Sequence, residues 1–186
     1  IQHMLASLAE DGRMGVVLPH GVLFRGNAEE TIRKYIVKDL NYLDAVIGLP
    51  ANCFQGTSIP VCCLVLKRER NGNNDNICFI DASKYYTQGK AQNSISQEDI
   101  DRIVNAYTER KDIEKFCHIA TMEEIEENDY NLNIPRYVDT FEPEPEVDLQ
   151  EVANDIRKVQ AEIKDIDNEL KPFFDELGLD FPFGEN

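Results

Sequence analysis

The chain has 186 residues, 42% of them hydrophobic, and a formal net charge of −16, which allows one domain with a sizeable core or a domain plus an extension. No run approaches the eighteen or more apolar residues of a membrane span, and no signal peptide opens the sequence. The charge excludes unaided gripping of a phosphate backbone, and it is uneven: 20 acidic against 15 basic residues up to Val138, then 15 against 4 from Asp139 onward. An acidic tail of that kind reads as a solvated surface or a protein-binding face.

Residues 1–9 pattern as the last turns of an amphipathic helix, with Met4, Leu5 and Leu8 on one face and Gly12 as its end. A start in mid-helix, without a start residue, reads as a fragment lacking its N-terminal part. Three apolar runs follow, at Gly15–Leu18, Leu43–Leu49 and Pro60–Leu66, each bounded by Gly, Pro or Asn. Such runs predict strands buried on both faces. Between the first two, Asn27 and Glu30 fit a helix N-cap and its third-position carboxylate, for a helix reaching about Lys38 and burying Ile32, Tyr35 and Ile36. Strand, helix, strand is one crossover unit. The loop Pro50–Ile59 is too short for another, so the second and third strands pair antiparallel.

The turn at residues 71–74 predicts a fourth strand, Ile77–Asp81, as hairpin partner of the third. Ile100, Ile103, Val104 and Tyr107 mark a helix over Gln97–Arg110. A short strand at Phe116–Ala120 follows, then a helix capped by Thr121 with Glu124 at the capping-box position, then an extended stretch over Tyr130–Tyr137. Residues 141–148 form a stiff, charged Pro/Glu linker. From there apolar residues fall at Leu149, Val152, Ile156, Val159, Ile163, Ile166, Leu170, Phe173 and Leu177, an unbroken alternation of three and four. That is a heptad seam, too narrow for the core of an α/β domain, and it wants partner helices. Pro172 predicts the end of the straight helix near Leu170, with a short turn restarting there and Gly178 as cap.

The chemistry within the chain is sparse. Five cysteines without C-x-x-C spacing read as reduced, buried thiols of a cytoplasmic protein, with Cys53, Cys78 and Cys117 isolated. His3, His20 and His118 are not in ligand register, so no metal site is expected. No G-x-G-x-x-G, Walker loop, G-x-S-x-G or H-E-x-x-H occurs. Asp129-Tyr130-Asn131 is similar to an Asp-Pro-Pro-Tyr box but lacks both prolines, and the match fails. Phe24 and Phe54 sit at strand-end loops, where a ring either joins the core or stacks on a planar ligand such as a base.

Four segments carry a resemblance. GRMGVVLPHGVLFRG, LDAVIGLPANCFQGTSIPVCCLVLKR, FIDAS and NDYNLNIPRYVDT, in this order and spacing, resemble the C-terminal half of a modification (M) subunit of type I restriction-modification DNA methyltransferases. The resemblance covers residues 1–140, and the helical tail, 149–186, fits the family's C-terminal extension. It implies the C-terminal part of an α/β, Rossmann-like, S-adenosylmethionine-dependent methyltransferase fold, ending in an antiparallel pair, plus a long helix. The parent would methylate adenine N6 in a specific DNA site. The cofactor loop and the Asn-Pro-Pro-Phe/Tyr box lie upstream in such proteins, so this piece holds no catalytic residue, binds no cofactor and is inactive alone. Phe54 matches the position that sets a ring against the flipped base. Thr57 and Pro60 belong to its loop, and Pro19, His20 and Gly21 match the strand-end motif beside the pocket. In the family the C-terminal helices pack on the specificity (S) subunit, which assigns the seam Leu149–Leu170 to subunit docking, with DNA and a restriction (R) subunit reached through the complex. The other readings are a helix folded on its own core, self-association, a non-enzymatic scaffold, and a methyltransferase acting on RNA or protein.

Overall fold

The structure is a computed structural model that describes residues 1–54, 56–140 and 148–182. It divides into two units, Ile1–Phe141 and Glu142–Asn186. The expected linker, apart from Asp148, lies outside the described residues.

In the first unit five strands form one mixed sheet: β1 (Arg13–Pro19), β2 (Leu43–Gly48), β3 (Val61–Lys67), β4 (Asn76–Asp81) and β5 (Cys117–Thr121), in the order β1-β3-β2-β4-β5. β3 is antiparallel to both β1 and β2, β2 is parallel to β4, and β5 is antiparallel to β4. The antiparallel β2–β3 pair forms as the short loop requires, but inside the sheet.

The expected β3–β4 hairpin does not form. The turn exists, with Asn71 and Gly72 both at positive φ, yet the chain crosses the end of β2 and adds β4 on its far side. The reason is β2, whose six residues are all buried: a central strand must satisfy both edges, and β3 serves only one. β1 also departs from expectation. It is half exposed, with alternating burial and Val17 44% accessible.

One face of the sheet, through Val46, Leu64, Leu66 and Phe79, packs against Leu23, Val37, Ile125 and Ile134. There lie α1 (Gln2–Ala6), α2 (Ala28–Lys34) and α4 (Met122–Glu127). The other face, through Ala45, Ile47, Cys78 and Ile80, packs against Ala106 and Phe116 beside α3 (Gln97–Glu109). Each fully buried Leu, Ile or Phe there stabilises by about 1.5–3 kcal/mol.

Several local expectations are corrected. α1 stops at Ala6, with Met4 exposed and Leu5 buried. Asn27 makes no side-chain cap; it sits at φ 58°, and Glu30 pairs with Lys34 at 2.7 Å instead. α2 passes at Tyr35 into one wide turn, Tyr35–Asp39, which buries Ile36 and Val37 and leaves Tyr35 exposed. α3 has a full capping box between Ser96 and Asp99, but Ile100 and Val104 lie exposed while Ala106 is buried. For α4 only half the expected box forms: Thr121 Oγ1 accepts from the Glu124 N–H at 3.2 Å, while the Glu124 carboxylate goes to His118 Nε2 at 2.9 Å. The stretch after α4 is not extended. It has positive φ at Asp129 and Tyr130 and a 3-10 turn at Ile134–Arg136, burying Leu132, Ile134 and Tyr137. The Tyr137 ring stacks on Phe79 at 3.9 Å between centroids.

All five cysteines are free thiols. Cys78 and Cys117 are not isolated: their sulfurs lie 3.7 Å apart across β4 and β5, both buried.

The second unit holds α5 (Leu149–Leu177), one unbroken helix through Pro172, N-capped by Asp148 and ended by Gly178 at φ 67°. The predicted break near Leu170 is absent. Proline's fixed φ is itself helical, so the cost is one lost N–H bond and a local clash, in a helix of about eight turns. None of its residues is buried, and the seam positions Val152, Ile156, Val159, Ile163 and Ile166 are 41–54% accessible.

Candidate functional site

Because β1, β2 and β4 run the same way, their C-terminal ends lie at one end of the sheet. Loops at that end are where layered α/β proteins build sites. Three emerge there, His20–Asn27, Leu49–Pro60 and Ala82–Ser96. Although 35 of the 186 residues are acidic, none falls in these loops, which carry His20, Arg25, Lys84 and Lys90. Asp81 ends β4 beside them, with Oδ1 accepting the Ser83 N–H at 2.9 Å. In a chain of charge −16 these rim loops add no negative charge of their own.

The five proposed pocket residues fall into two groups joined by β3. Pro19 pairs with Val61 at the end of the β1–β3 ladder, which sets Pro19, His20 and Gly21 beside the end of the Phe54 loop. Pro19, extended at ψ 147°, opens the 3-10 turn His20–Leu23. At Gly21 a Cβ would stand 2.6 Å from Arg25 Nε. His20 Nε2 is buried and has no hydrogen-bond partner among the described residues. Phe24 is exposed.

In the second loop the Thr57 N–H donates to the Phe54 carbonyl at 3.4 Å, and Thr57 Oγ1 accepts from the Ile59 N–H at 3.2 Å. Gly56 takes φ 85°, a conformation that favours glycine. This tight turn holds the Phe54 ring 42% accessible, out of the core. The third loop clasps the second: Asn93 donates its N–H to the Asn52 carbonyl at 2.8 Å and its Nδ2 to the Ala51 carbonyl at 2.9 Å. Sequence reasoning missed that clasp, since nothing local joins residues some 40 apart.

Two charged networks also escaped it. Arg33 is buried; Nε donates to the Tyr130 carbonyl at 2.8 Å and Nη1 to the carbonyls of Val22 and Arg25 at 3.1 and 2.9 Å. It ties the Phe24 loop to the chain after α4, and burial lowers its pKa against the pull of Glu30 and Glu29. At the opposite end of the sheet Asp44, within an apolar strand, is fully buried. It receives Lys67 Nζ at 2.9 Å, Arg110 Nη1 at 3.3 Å, Arg70 Nε at 3.4 Å and the Tyr107 hydroxyl. Burial pushes its carboxyl up, but the Tyr107 and Lys67 hydrogen bonds and the Arg110 charge outweigh it, and the pKa falls below the usual value. This cluster locks β2, β3, α3 and the β3–β4 connection together, far from the rim.

A cavity of about 250 Å³, lined by Val22, Leu23, Ile32, Leu43, Leu64 and Leu66 among others, is apolar, and none of Pro19, His20, Gly21, Phe54 and Thr57 lines it. Among the described residues no His, Cys, Asp and Glu cluster suits a metal ion, and no helix is long and apolar enough to cross a membrane.

A mixed five-stranded sheet with its site loops at one end defines an α/β protein of the kind found in type I methyltransferase structures. A family model described as N-6 DNA Methylase matches residues 1–146, and the chain belongs to that family. It is 38% identical over 172 residues to the type I restriction enzyme MjaVIII methylase subunit of Methanocaldococcus jannaschii, covering 89% of this chain and 29% of the relative. It is 34% identical over 181 residues to the MpnII methylase subunit of Mycoplasma pneumoniae, covering 97% and 33%. The chain thus spans about a third of the length of these relatives. The type I restriction-modification methyltransferase subunit from Streptococcus thermophilus is similar in structure, with TM-score 0.69 and 55% identity over 73% of this chain and 29% of that one. The EcoKI M protein, TM-score 0.57 at 18% identity, shares the fold.

Proposed function

We propose that this chain is the C-terminal portion of the modification subunit of a type I restriction-modification enzyme, in a Rossmann-like methyltransferase fold. The parent transfers a methyl group from S-adenosylmethionine to adenine N6 in a DNA site set by a specificity subunit. Residues 1–140 complete the catalytic domain and wall the target-base pocket; α5 docks the specificity subunit, through which DNA and a restriction subunit are reached.

The residues present do not fit a site for S-adenosylmethionine. The three rim loops have no carboxylate for ribose hydroxyls and no G-x-G-x-x-G turn, so no step of the reaction is routed through them. Their part is to receive the base. Phe54 offers a ring face for stacking, Thr57 and Gly56 fix its loop, and Pro19, His20 and Gly21 shape the neighbouring wall without moving a proton. Lacking the Asn-Pro-Pro-Phe/Tyr box, these residues alone transfer no methyl group.

The observation that carries this reading is the exposed Phe54 ring on a hydrogen-bonded loop, among three loops that hold no carboxylate of their own in an otherwise acidic chain. Base–aromatic stacking contributes about 1–3 kcal/mol, so Phe54→Ala in the full subunit, assembled with its specificity subunit, lowers kcat/KM for DNA methylation roughly 5- to 150-fold. It also diminishes the fluorescence rise of 2-aminopurine placed at the target adenine. Thermal stability stays unchanged, because the ring is outside the core. Methylation and fluorescence equal to wild type would refute the role of Phe54.

A further inference from the structure

Arg33 precedes the buried Ile36 and Val37 by one helical turn. An apolar side chain there would pack α2 without the cost of taking a guanidinium out of water. What the guanidinium adds is a bridge between backbone carbonyls of two separate segments. At one end, Nη1 holds Val22 and Arg25. The Leu23 carbonyl between them accepts the Leu132 N–H at 2.9 Å, and the Gly21 carbonyl accepts the N–H groups of Phe24 and Arg25 at 3.2 and 2.9 Å. The carbonyls of Gly21, Val22, Leu23 and Arg25 are thus all taken. At the other end, Nε holds the carbonyl of Tyr130. Tyr130 follows Asp129, and both stand at positive φ, 56° and 53°, a conformation that residues other than glycine adopt at a cost. Lys34, next to Arg33, meets Asp129 Oδ1 at 2.8 Å.

The bond to Tyr130 alone would suffice to fasten α2 to the chain after α4. The two bonds from Nη1 go instead to the turn that begins at Pro19, His20 and Gly21. The β1–β3 ladder fixes one end of that wall, through Pro19 and Val61; Arg33 and Leu132 fix the other. Such fixing matters where a reacting group is received, because a displacement of about 1 Å can cost on the order of 100-fold in rate. We propose that Arg33 is a positioning residue for the target-base pocket. It holds the Val22 and Arg25 carbonyls, keeps the Pro19, His20 and Gly21 wall in place beside the Phe54 loop, and acts on methyl transfer through that wall without touching the base. This rests on the pocket proposed above and adds a residue outside the pocket's own lining.

The test uses the full modification subunit assembled with its specificity subunit, as wild type, Arg33→Met, Arg33→Lys and Phe54→Ala. Methionine keeps an unbranched stem without a donor; lysine keeps donors on one nitrogen, which cannot bridge the two segments as the guanidinium fork does. Single-turnover methylation at saturating DNA and S-adenosylmethionine is divided by the number of active sites, counted by cofactor binding. A residue that only staples the fold changes the number of active sites and the thermal stability, but not the rate per site. Arg33→Met is expected to lower the rate per site roughly 10- to 100-fold and to leave the Kd for DNA unchanged, with Arg33→Lys between it and wild type. A folded Arg33→Met with the wild-type rate per site overturns the proposal. If Arg33→Met does not fold, Arg33→Lys decides on the same criterion. If Phe54→Ala matches wild type in methylation and in 2-aminopurine fluorescence, the pocket reading itself fails, and this proposal with it. If Phe54→Ala is impaired while the Arg33 variants keep their rate per site, the pocket stands and only the positioning role is lost.

Discussion

Asp44→Asn is nearly isosteric, yet it removes the only carboxylate among the described residues in direct contact with Lys67, Arg70 and Arg110. Asp44 is wholly inaccessible, as is the Arg70 side chain, and Lys67 is 9% accessible. Three cations would keep their places with no anion among them, and the new amide would turn a donor toward them. Removing one partner of a buried ion pair costs about 3–5 kcal/mol, a large share of the roughly 5–15 kcal/mol that holds a domain together. Tyr107→Phe deletes one hydrogen bond to the same carboxylate and should cost about 1.5–3 kcal/mol. Urea unfolding at neutral pH measures both, and the reasoning requires the Asp44 variant to lose more. A loss below about 1 kcal/mol, or one no larger than that of Tyr107→Phe, would refute it. The pH dependence supplies a second reading. The folded-state pKa of Asp44 lies below its ordinary value, so its contribution is complete above the unfolded value near 3.9 and is lost as pH falls through the lower folded value. The advantage of wild type over Asp44→Asn should therefore hold flat at neutral pH and shrink only in strong acid.

At Gly48 an alanine Cβ would stand 2.8 Å from Ile134 Cδ1, and Gly48→Ala should cost about 1–3 kcal/mol. Ile134→Val removes that methyl, so the double variant should be more stable than the two single losses predict; strict additivity in denaturation would sink the contact. His118 lies between Asp112 at 3.1 Å and Glu124 at 2.9 Å. Burial pushes its pKa down, but Glu124 and Asp112 prevail and raise it. Its stabilising pairing is then complete below the unfolded value near 6.5 and lost as pH rises through the higher folded value. An NMR titration should give a midpoint above 6.5 that falls in Glu124→Gln; an unmoved midpoint would count against the pairing.

What sequence could reach was set by range. β2 and β3 stood out because they are continuous apolar runs cut by Pro, Gly and Asn, and the short loop between them allowed only an antiparallel pair. β4 was misplaced because Asn71 and Gly72 report a turn, and a turn does not name the strand's partner; the second edge of β2 did that. Tyr35 was assigned to the core by helical spacing, and the wide turn after Lys34 rotated it outward. Asp44, Arg70 and Arg110 stand 26 and 66 residues apart, so no local pattern shows that they meet. Phe54 was legible as a loop aromatic, but its role came from the family resemblance and not from spacing. The long-range seam was the opposite case: a period of seven needs no tertiary context, and α5 carries it intact.

The strand order also sets a schedule for the growing chain. Leu64 meets Val46 from 18 residues away but Val16 from 48. At about 5–20 residues per second, β1 leaves the ribosome roughly 2–10 s before its pairing strand has been synthesised. During that interval the edge of β1 that β3 will cover is open to any other extended segment. Substitutions that make Met14–Leu18 stickier should then reduce yield in cells without altering the stability of the finished fold.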